Sequence, residues 1–382
     1  MSKYFLSYCN FISSVEQLEY CKQANSLSDL LARIKQLWNC DDLGDHELLS
    51  EIASLNQIPI KTSSVKLAGI WLPYRYQPKS QLINWLIPFG HPTEPFQDEY
   101  ISRCRQHLLN QIIQPSTIEF ALQQSENLTD EQPAGFIFHL SRCGSTLISG
   151  CLSELESTCV FSESPLLTEV LLDNNLTPSQ QKNSLRAVIN LQAAAFPNRP
   201  NMIIKWNAWD IFRWDIIRAL YPQVPVIFLV REPVEILASH QRSAGRHMAG
   251  DISLANLHPV FSRVSSEQTL LAWQSGVLAA VLSEMSRVKN NNSILCLDYK
   301  SIDRAGINEV CHHFGLQPHL ERFTQRLQFH SKTPQIIFSN DNQIKQAIFS
   351  DADKAFIQEA ILPLYKDFLN PDCETRRVLY EQ

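Results

Sequence analysis

The stretch GFIFHLSRCGSTLISGCL, residues 135–152, decides the fold class. A short apolar run at residues 136–140 passes directly into the polar turn 141–146, and a helical pattern begins at Thr146. In a turn that leads from a strand into a helix, free backbone N–H groups and the positive end of the helix dipole both point at the group that occupies the turn, and an anion suits them. The stretch therefore predicts an anion-binding loop.

The chain on both sides of this loop alternates apolar runs with helical patterns. The further runs are residues 160–161, 202–204, 226–230 and 294–297, and the helical patterns between them are residues 179–196, 208–220, 234–242 and 267–288. This alternation predicts crossover units and a mostly parallel sheet in an α/β, three-layer domain. Because such sheets bind ligands at the carboxyl ends of their strands, the residues just after each run are the candidates for chemistry.

The N-terminal third has a different character. Helical periodicity predicts helices over residues 27–37 and 45–55. Residues 69–96 concentrate aromatic residues and prolines, which interrupt helices and long central strands alike, so we expect a packed, turn-rich segment. A polar linker at residues 123–133 then separates a mainly helical accessory region, 1–125, from the α/β domain, 131–382.

Composition and charge narrow the function classes. The 33 Lys and Arg against 39 Asp and Glu give a net charge of −6, so neither nucleic acid nor an anionic membrane surface is an expected partner. We find no signal-peptide pattern, no run near the ~20 apolar residues that span a bilayer, and no zinc-type spacing among the ten cysteines. We expect a cytoplasmic protein without membrane insertion or a metal site.

Glycine is scarce, at 11 of 382 residues, so each glycine position is informative. No G-x-G-x-x-G occurs, which argues against a dinucleotide-binding or protein-kinase loop. Against the NTPase pattern G-x-x-x-x-G-K-[ST], Gly144 and Thr146 match, but His139 replaces the first glycine and Ser145 the lysine. A Mg²⁺-dependent phosphotransferase or NTPase, with Asp298 as its metal-binding acid, is the weaker alternative.

A second stretch, VIFLVREPVEILASH at residues 226–240, predicts a second anion site. Arg231 follows an apolar run, Pro233 stands where a helix starts, and Ser239 lies in that helix. A guanidinium matches phosphate oxygens in a planar fork, and a serine adds a hydroxyl donor.

SRCGSTL and VREPVEILASH together resemble the 5′- and 3′-phosphate motifs of the sulfotransferases that use 3′-phosphoadenosine 5′-phosphosulfate (PAPS). The resemblance implies a P-loop-like fold and transfer of a sulfuryl group to a hydroxyl or amine, without a metal. It also implies that Arg142, Cys143, Gly144, Ser145 and Thr146 hold the 5′-phosphosulfate, and that Arg231 and Ser239 hold the 3′-phosphate.

The catalytic candidates depart from the cytosolic members of that family. Asn207 stands where those members have a catalytic histidine, whereas Lys205 is retained. The match is closer to tyrosylprotein and bacterial sulfotransferases, which place a glutamate after the second strand, and Glu163 stands there. We expect Glu163 to be the general base, and Lys205 and Arg142 to neutralise charge on the bridging oxygen.

Several assignments stay open at this stage. His240 and His247 are the other candidate bases, while His139, within the first run, is read as structural. Lys332 in HSKTP is only a loose substitute for the family's C-terminal cofactor loop. The acceptor, a small molecule or a peptide, is not identified. A non-catalytic module that binds a partner through residues 71–96 is a further alternative.

The Cys143 thiol lies inside the predicted anion loop, where its pKa could differ from the ordinary value. Its place at a helix N-terminus favours a lowered thiol pKa, although no base lies beside it in the sequence.

Overall fold

The computed structural model describes residues 2–61, 64–112, 114–130, 132–262, 269–290, 293–329 and 348–370. The chain forms two compact units. The first contains Met1–Gln132 and Ser164–Pro200, and the second contains Pro133–Glu163 and Asn201–Gln382. The structure thus places residues 164–200 in the first unit, while the division into regions 1–125 and 131–382 stays a prediction from the sequence.

The helices and strands of both units are numbered in chain order. The α-helices are α1 Phe5–Ser13, α2 Val15–Lys22, α3 Leu27–Trp38, α4 Asp45–Leu55, α5 Gln97–Cys104, α6 Ile118–Glu126, α7 Ser145–Ser153, α8 Pro165–Leu171, α9 Pro178–Ala194, α10 Trp214–Leu220, α11 Pro233–Arg242, α12 Leu270–Val288, α13 Arg304–His313, α14 Leu320–Leu327 and α15 Asp351–Leu369. The strands are β1 Leu72–Gln77, β2 Leu82–Leu86, β3 Gln114–Thr117, β4 Gly135–His139, β5 Thr158–Ser162, β6 Asn201–Lys205, β7 Val226–Val230 and β8 Ile294–Asp298. Short 3-10 helices cover Leu108–Gln111, Ala208–Arg213, Arg246–Met248, Ile252–Leu254, Pro259–Phe261 and Tyr299–Ser301.

The first unit contains an antiparallel sheet that the sequence analysis missed. Strands β1 and β2 form a hairpin, and β3 pairs with β2. The expectation of a turn-rich segment was wrong here, because Pro73 lies at a register irregularity and so interrupts no regular ladder. Glu169 of α8 accepts hydrogen bonds from the Arg75 guanidinium at 2.6 Å and the Tyr76 N–H at 2.7 Å.

The second unit is built on a five-stranded parallel sheet, as predicted. Its strand order is β5-β6-β4-β7-β8, and all four neighbouring pairs are parallel. The chain therefore crosses over between its first two strands, and β6 later fills the place between β4 and β5. This order brings the ends of β5 and β7 to opposite sides of the central β4–β6 pair.

Apolar side chains on both faces of this sheet give the three-layer α/β architecture. Strand β4 shows the pattern: Ile137 packs into a cluster with α7, α13 and α14, while Phe136 and Phe138 point to the opposite face. There the Phe138 ring lies 6.0 Å from Trp206 and 5.5 Å from Trp214, centroid to centroid. The α/β fold class with a mostly parallel sheet is confirmed.

Candidate active site

The predicted site residues meet at one edge of the parallel sheet. Arg142 follows β4, Glu163 follows β5, Lys205 is the last residue of β6, and Arg231 follows β7. In a parallel sheet all carboxyl ends lie at the same edge, so the four side chains belong to one region of the second unit.

The anion loop after β4 has the backbone shape of an anion nest. Ser141, Arg142 and Gly144 all have positive φ, at 65°, 51° and 88°. Successive N–H groups in such a conformation point to one side and form an anion-binding concavity, and the N-terminus of α7 lies next to it. Glycine is required at 144, because a Cβ there would lie 2.5 Å from Ile302 Cδ1 and 2.9 Å from Tyr299 Cδ2.

Cys143 contributes backbone, not thiol, to this loop. Its side chain is fully buried in the apolar cluster under α7, and burial raises the pKa of the thiol to about 12. The expectation of a lowered thiol pKa for Cys143 is therefore wrong, because the desolvation of the buried thiol outweighs the effect of the helix dipole.

Lys205 and Glu163 form a buried ion pair beside the loop. The Lys205 Nζ lies 3.0 Å from Glu163 Oε1 and donates to Thr146 Oγ1 at 3.4 Å. The backbone joins them too, since the Glu163 N–H donates to the Lys205 carbonyl at 2.7 Å. Lys205 is fully buried, and Glu163 retains a side-chain exposure of 21%. The structure thus connects three predicted site residues through one ammonium group.

The charge state of Glu163 follows from these contacts. Burial raises the pKa of the Glu163 carboxyl, but the ammonium of Lys205 and the neighbouring His139 outweigh it and hold the pKa well below its ordinary value. Glu163 is therefore a carboxylate at neutral pH. Its backbone has φ of 54°, a region that non-glycine residues rarely adopt, which matches the strain common at functional sites.

His139 is a neighbour of this pair that the sequence analysis read as structural. Its Nδ1 accepts a hydrogen bond from the Ser141 N–H at 2.9 Å, and its Nε2 lies 3.5 Å from Glu163 Oε1. Burial lowers the pKa of the imidazole. His139 therefore both fixes the start of the anion loop and contacts the Glu163 carboxylate; its position at the end of the first apolar run was the available signal.

Asn207 has a local structural role at the position of the missing histidine. Its N–H and its side-chain amide both donate to Asp210 Oδ2, at 2.9 and 3.1 Å, which caps the 3-10 helix after β6. Asparagine is a strong capping residue, so its presence is explained without a catalytic role.

Arg231 is tightly engaged within its own motif. Its Nε donates to Glu235 Oε2 at 2.6 Å, its Nη1 donates to the Arg142 carbonyl at 3.3 Å, and its guanidinium lies 3.9 Å from the centre of the Tyr299 ring. Ser239, one turn after Glu235 on α11, is half-buried. Sequence reasoning missed Glu235 and Tyr299, although Tyr299 directly follows an apolar run.

The Arg142 side chain reaches the end of α11. Its Nη2 donates a short hydrogen bond to the carbonyl of Ser243, which follows the last residue of that helix. Desolvation lowers the pKa of this guanidinium, while the Glu163 carboxylate opposes that shift. The roles of Arg142, Arg231 and Ser239 in holding phosphate stay predictions.

No family model and no curated protein matches the chain. Two similar solved structures are sulfotransferases. One is a sulfotransferase domain from the curacin biosynthetic pathway, 15% identical, covering 60% of this chain and 97% of that one with a TM-score of 0.37. The other is a sulfotransferase from Alicyclobacillus acidocaldarius, 13% identical, covering 61% of this chain and 96% of that one with a TM-score of 0.32.

The sequence analysis also named Lys332 and Asp298. Lys332 lies outside the described residues. Asp298 accepts the Lys300 N–H at 2.7 Å and a hydrogen bond from the Tyr365 hydroxyl. In the part of the chain that the structure describes, no three His, Cys, Asp or Glu side chains gather as a metal site requires, and no helix is long and apolar enough to cross a bilayer.

The two alternative bases lie together: His240 is in the last turn of α11, and His247 is in the loop that follows. The His240 and His247 rings are 5.5 Å apart, and His240 Nδ1 accepts the Gly245 N–H at 3.2 Å. His247 is buried, and among the described residues neither of its ring nitrogens has a hydrogen-bond partner. Burial, reinforced by His139, lowers the pKa of His247 to about 3, so it is neutral at ordinary pH.

His247 should make the stability of the protein sensitive to acid. Its pKa is depressed in the folded state, so between pH 6.5 and 3 the unfolded chain binds a proton that the folded chain does not. The free energy of unfolding should fall on acidification, with a contribution from His247 of up to about 1.4 kcal/mol per pH unit. Urea unfolding at pH 7, 6 and 5 should show a shallower slope for His247→Gln. The exposed His312→Gln variant, as a control, should keep the wild-type slope; equal slopes in all three proteins would contradict this prediction.

Proposed function

We propose that the protein transfers a sulfuryl group from PAPS to a hydroxyl or amine acceptor. The observation that carries the proposal is the buried Lys205–Glu163 pair. The Lys205 Nζ lies 3.0 Å from the Glu163 carboxylate and 3.4 Å from the Thr146 hydroxyl of the anion loop. A positioned base, a cation for the leaving oxygen and a nest for the phosphosulfate are the three elements that this reaction needs.

PAPS supplies an activated sulfuryl group as a substrate, and the chain's residues bind and orient it. In this proposal the backbone of the loop 142–146, with the N-terminus of α7, binds the 5′-phosphosulfate end. Lys205 Nζ, which contacts Thr146, neutralises in this proposal the oxygen that leaves with the 3′,5′-adenosine bisphosphate product.

In this proposal Glu163 takes the proton of the acceptor. The acceptor O–H or N–H bond breaks, its oxygen or nitrogen bonds to sulfur, and the bond from sulfur to the bridging oxygen breaks. The carboxylate is a weak base while the Lys205 ammonium holds it. As negative charge develops on the leaving oxygen, it competes for that ammonium and raises the basicity of Glu163. The ion pair thereby couples proton removal to sulfuryl transfer.

Binding of 3′,5′-adenosine bisphosphate tests the proposal directly. We expect isothermal titration to show binding without Mg²⁺, and Arg231→Ala to weaken it by tens of fold, about 2 kcal/mol, while the affinity for 5′-AMP changes little. Absence of bisphosphate binding would contradict the proposal, and binding of ATP that requires Mg²⁺ would favour the NTPase alternative.

Glu235→Gln provides the matched control for that titration. Glu235 holds the Arg231 guanidinium at 2.5 Å, and its negative charge would repel a 3′-phosphate. Removing this charge should strengthen bisphosphate binding relative to 5′-AMP. Equal losses for both nucleotides in Arg231→Ala would instead assign Arg231 to bracing the loop through the Arg142 carbonyl.

A further inference from the structure

The imidazole of His139, the last residue of β4, contacts both the anion loop and the Glu163 carboxylate. Its side chain is buried, with 4% exposed. Its Nδ1 accepts the Ser141 N–H at 2.9 Å, and its Nε2 lies 3.5 Å from Glu163 Oε1. The two contacts use different ring nitrogens, so one ring joins the start of the loop to the carboxylate.

These contacts determine which ring nitrogen of His139 carries the proton. Burial lowers the pKa of the imidazole and the Lys205 ammonium also lowers it, so the ring is neutral at pH 7 despite the opposing effect of Glu163. A neutral imidazole has one N–H donor and one lone pair. Because Nδ1 accepts the Ser141 N–H, its lone pair is engaged there, and the proton lies on Nε2.

The groups that face the imidazole match an N–H donor at Nε2. Besides the Glu163 carboxylate, the backbone carbonyl of Trp206 is an acceptor beside this ring. The same carboxylate oxygen, Oε1, also lies 3.0 Å from the Lys205 ammonium. A movement of about 0.5 Å would bring His139 Nε2 to an ordinary N–H···O distance from that oxygen. Glu163 therefore has one charged and one neutral donor close to the same atom.

We propose that His139 is a positioning residue for the base: its Nε2–H donates to Glu163 Oε1 and holds the carboxylate in one orientation. This inference rests on the proposed function, in which Glu163 takes a proton. A neutral donor orients the carboxylate without adding a second positive charge that would lower its basicity. The Ser141 N–H keeps the imidazole in the donating tautomer, so His139 does not itself accept the proton.

Nitrogen-15 NMR of the whole protein with labelled histidine tests the tautomer without any substrate. The His139 signals are the ones that disappear in His139→Asn. At pH 7 we expect a neutral ring protonated at Nε2, and we expect its Nε2 signal to move in Glu163→Gln. A protonated imidazolium, a neutral ring protonated at Nδ1, or an Nε2 signal that does not respond to Glu163→Gln would overturn the proposal.

Two substitutions separate the two contacts of His139. An asparagine side-chain oxygen takes the place of Nδ1 and accepts the N–H two residues on, but asparagine is too short to donate to Glu163. A glutamine amide N–H takes the place of Nε2, but glutamine offers no acceptor at the position of Nδ1. His139→Asn therefore removes the contact with the carboxylate, and His139→Gln removes the contact with the loop.

Turnover of PAPS with water as the acceptor measures the effect on the base, because no other acceptor has to be identified. Water gives its proton to Glu163, its oxygen bonds to sulfur, and the bond from sulfur to the bridging oxygen breaks. The released 3′,5′-adenosine bisphosphate is measured. His139→Asn should lower kcat by about tenfold and leave bisphosphate affinity within about twofold.

His139→Gln should show the opposite division. We expect it to retain kcat to within about threefold and to weaken bisphosphate binding by about fivefold, because the loop loses its contact with Nδ1. Wild-type kcat in His139→Asn, or equal losses of kcat in both variants, would overturn the proposal. His258→Asn is the matched control: His258 Nδ1 also accepts an N–H two residues on, from Val260 at 3.2 Å, and its ring lies against Phe212. This control should behave as wild type.

The double variant His139→Asn/Glu163→Gln tests whether His139 acts through Glu163. If it does, no base is left to position, so kcat should equal that of Glu163→Gln to within about twofold. A further tenfold loss, which independent effects would give, would overturn the proposal.

These measurements distinguish failure of this inference from failure of the proposed function. Bisphosphate binding and PAPS turnover in the wild type, with an unchanged kcat in His139→Asn, would overturn the positioning role alone. A protein that neither binds bisphosphate nor releases it from PAPS would overturn the proposed function. In that case the NMR result still decides whether His139 donates to Glu163.

Discussion

Lys205→Met is expected to lower kcat for sulfuryl transfer by about 10²–10³-fold and to leave bisphosphate affinity within about threefold. Lys205 is fully buried, and its ammonium contacts two groups of the candidate site, Glu163 at 3.0 Å and Thr146 at 3.4 Å. Its contribution should grow as charge develops on the leaving oxygen, because a fixed cation in a dry site stabilises that charge without reorganisation.

The same variant should change the acidic limb of the pH–rate profile. Without the ammonium, burial raises the pKa of Glu163 unopposed by its strongest partner, so the residual activity should fall at a higher pH than in the wild type. Lys300→Met, which removes an exposed lysine after β8, is the control and should behave as wild type. If bisphosphate affinity fell as much as kcat, Lys205 would be a ligand of the ground state.

Loss of Lys205 also leaves the Glu163 carboxylate without its main partner, which destabilises a protein. The double variant Lys205→Met/Glu163→Gln removes both charges and should unfold at nearly the wild-type urea concentration. A soluble, folded double variant with wild-type turnover would contradict both assignments.

The sequence could predict the strands of the second unit because parallel strands buried on both faces read as apolar runs. Residues 226–230 form β7 with the predicted bounds, and residues 202–204 extend by one residue at each end to form β6. What the runs could not show is the order of strands. Because β6 lies between β4 and β5, the ammonium of Lys205 reaches both Thr146 after β4 and Glu163 after β5.

The first unit was less predictable for a related reason. Strand β1 contains Pro73, a residue that usually interrupts strands, and the third strand of the sheet, β3, comes from residues distant in the chain. The polar contacts Arg75–Glu169 and Tyr76–Asp173, at 2.6 and 2.7 Å, likewise join distant positions. Local periodicity carries no information on such pairs.

The contacts of Arg231 in the candidate site were likewise not predictable from the sequence motif. The spacing of Arg231 and Ser239 indicated a phosphate motif, yet Glu235 lies between them, four residues from each. Arg231 comes just before α11 and Glu235 is in the first turn of that helix, where its carboxylate contacts the guanidinium. Under the proposed function, Glu235 would therefore compete with the 3′-phosphate for Arg231, which the motif alone did not indicate.

Glu163→Gln is expected to lower kcat by about 10²-fold or more with little change in bisphosphate affinity. The amide keeps the shape of the carboxylate and a hydrogen bond acceptor for Lys205, but it has no useful basicity. Glu156→Gln is the matched control, because Glu156 also pairs with a cation, Arg322 at 2.9 Å, but at an exposed position.

The alternative role for Glu163 is to hold Lys205 in place, and a rescue experiment distinguishes the two. Because Glu163 has φ of 54°, glycine fits its backbone conformation, so Glu163→Gly removes the side chain without adding backbone strain. If Glu163 is the base, added formate should restore part of kcat in this variant, with a rate that rises with formate concentration and saturates. If Glu163 only positions Lys205, the neutral Gln variant should retain kcat to within about tenfold, since its amide oxygen still accepts from the ammonium. Near-normal turnover in Glu163→Gln would therefore exclude the base assignment and direct attention to His240 at the end of α11 and His247 after it, whose rings lie 5.5 Å apart.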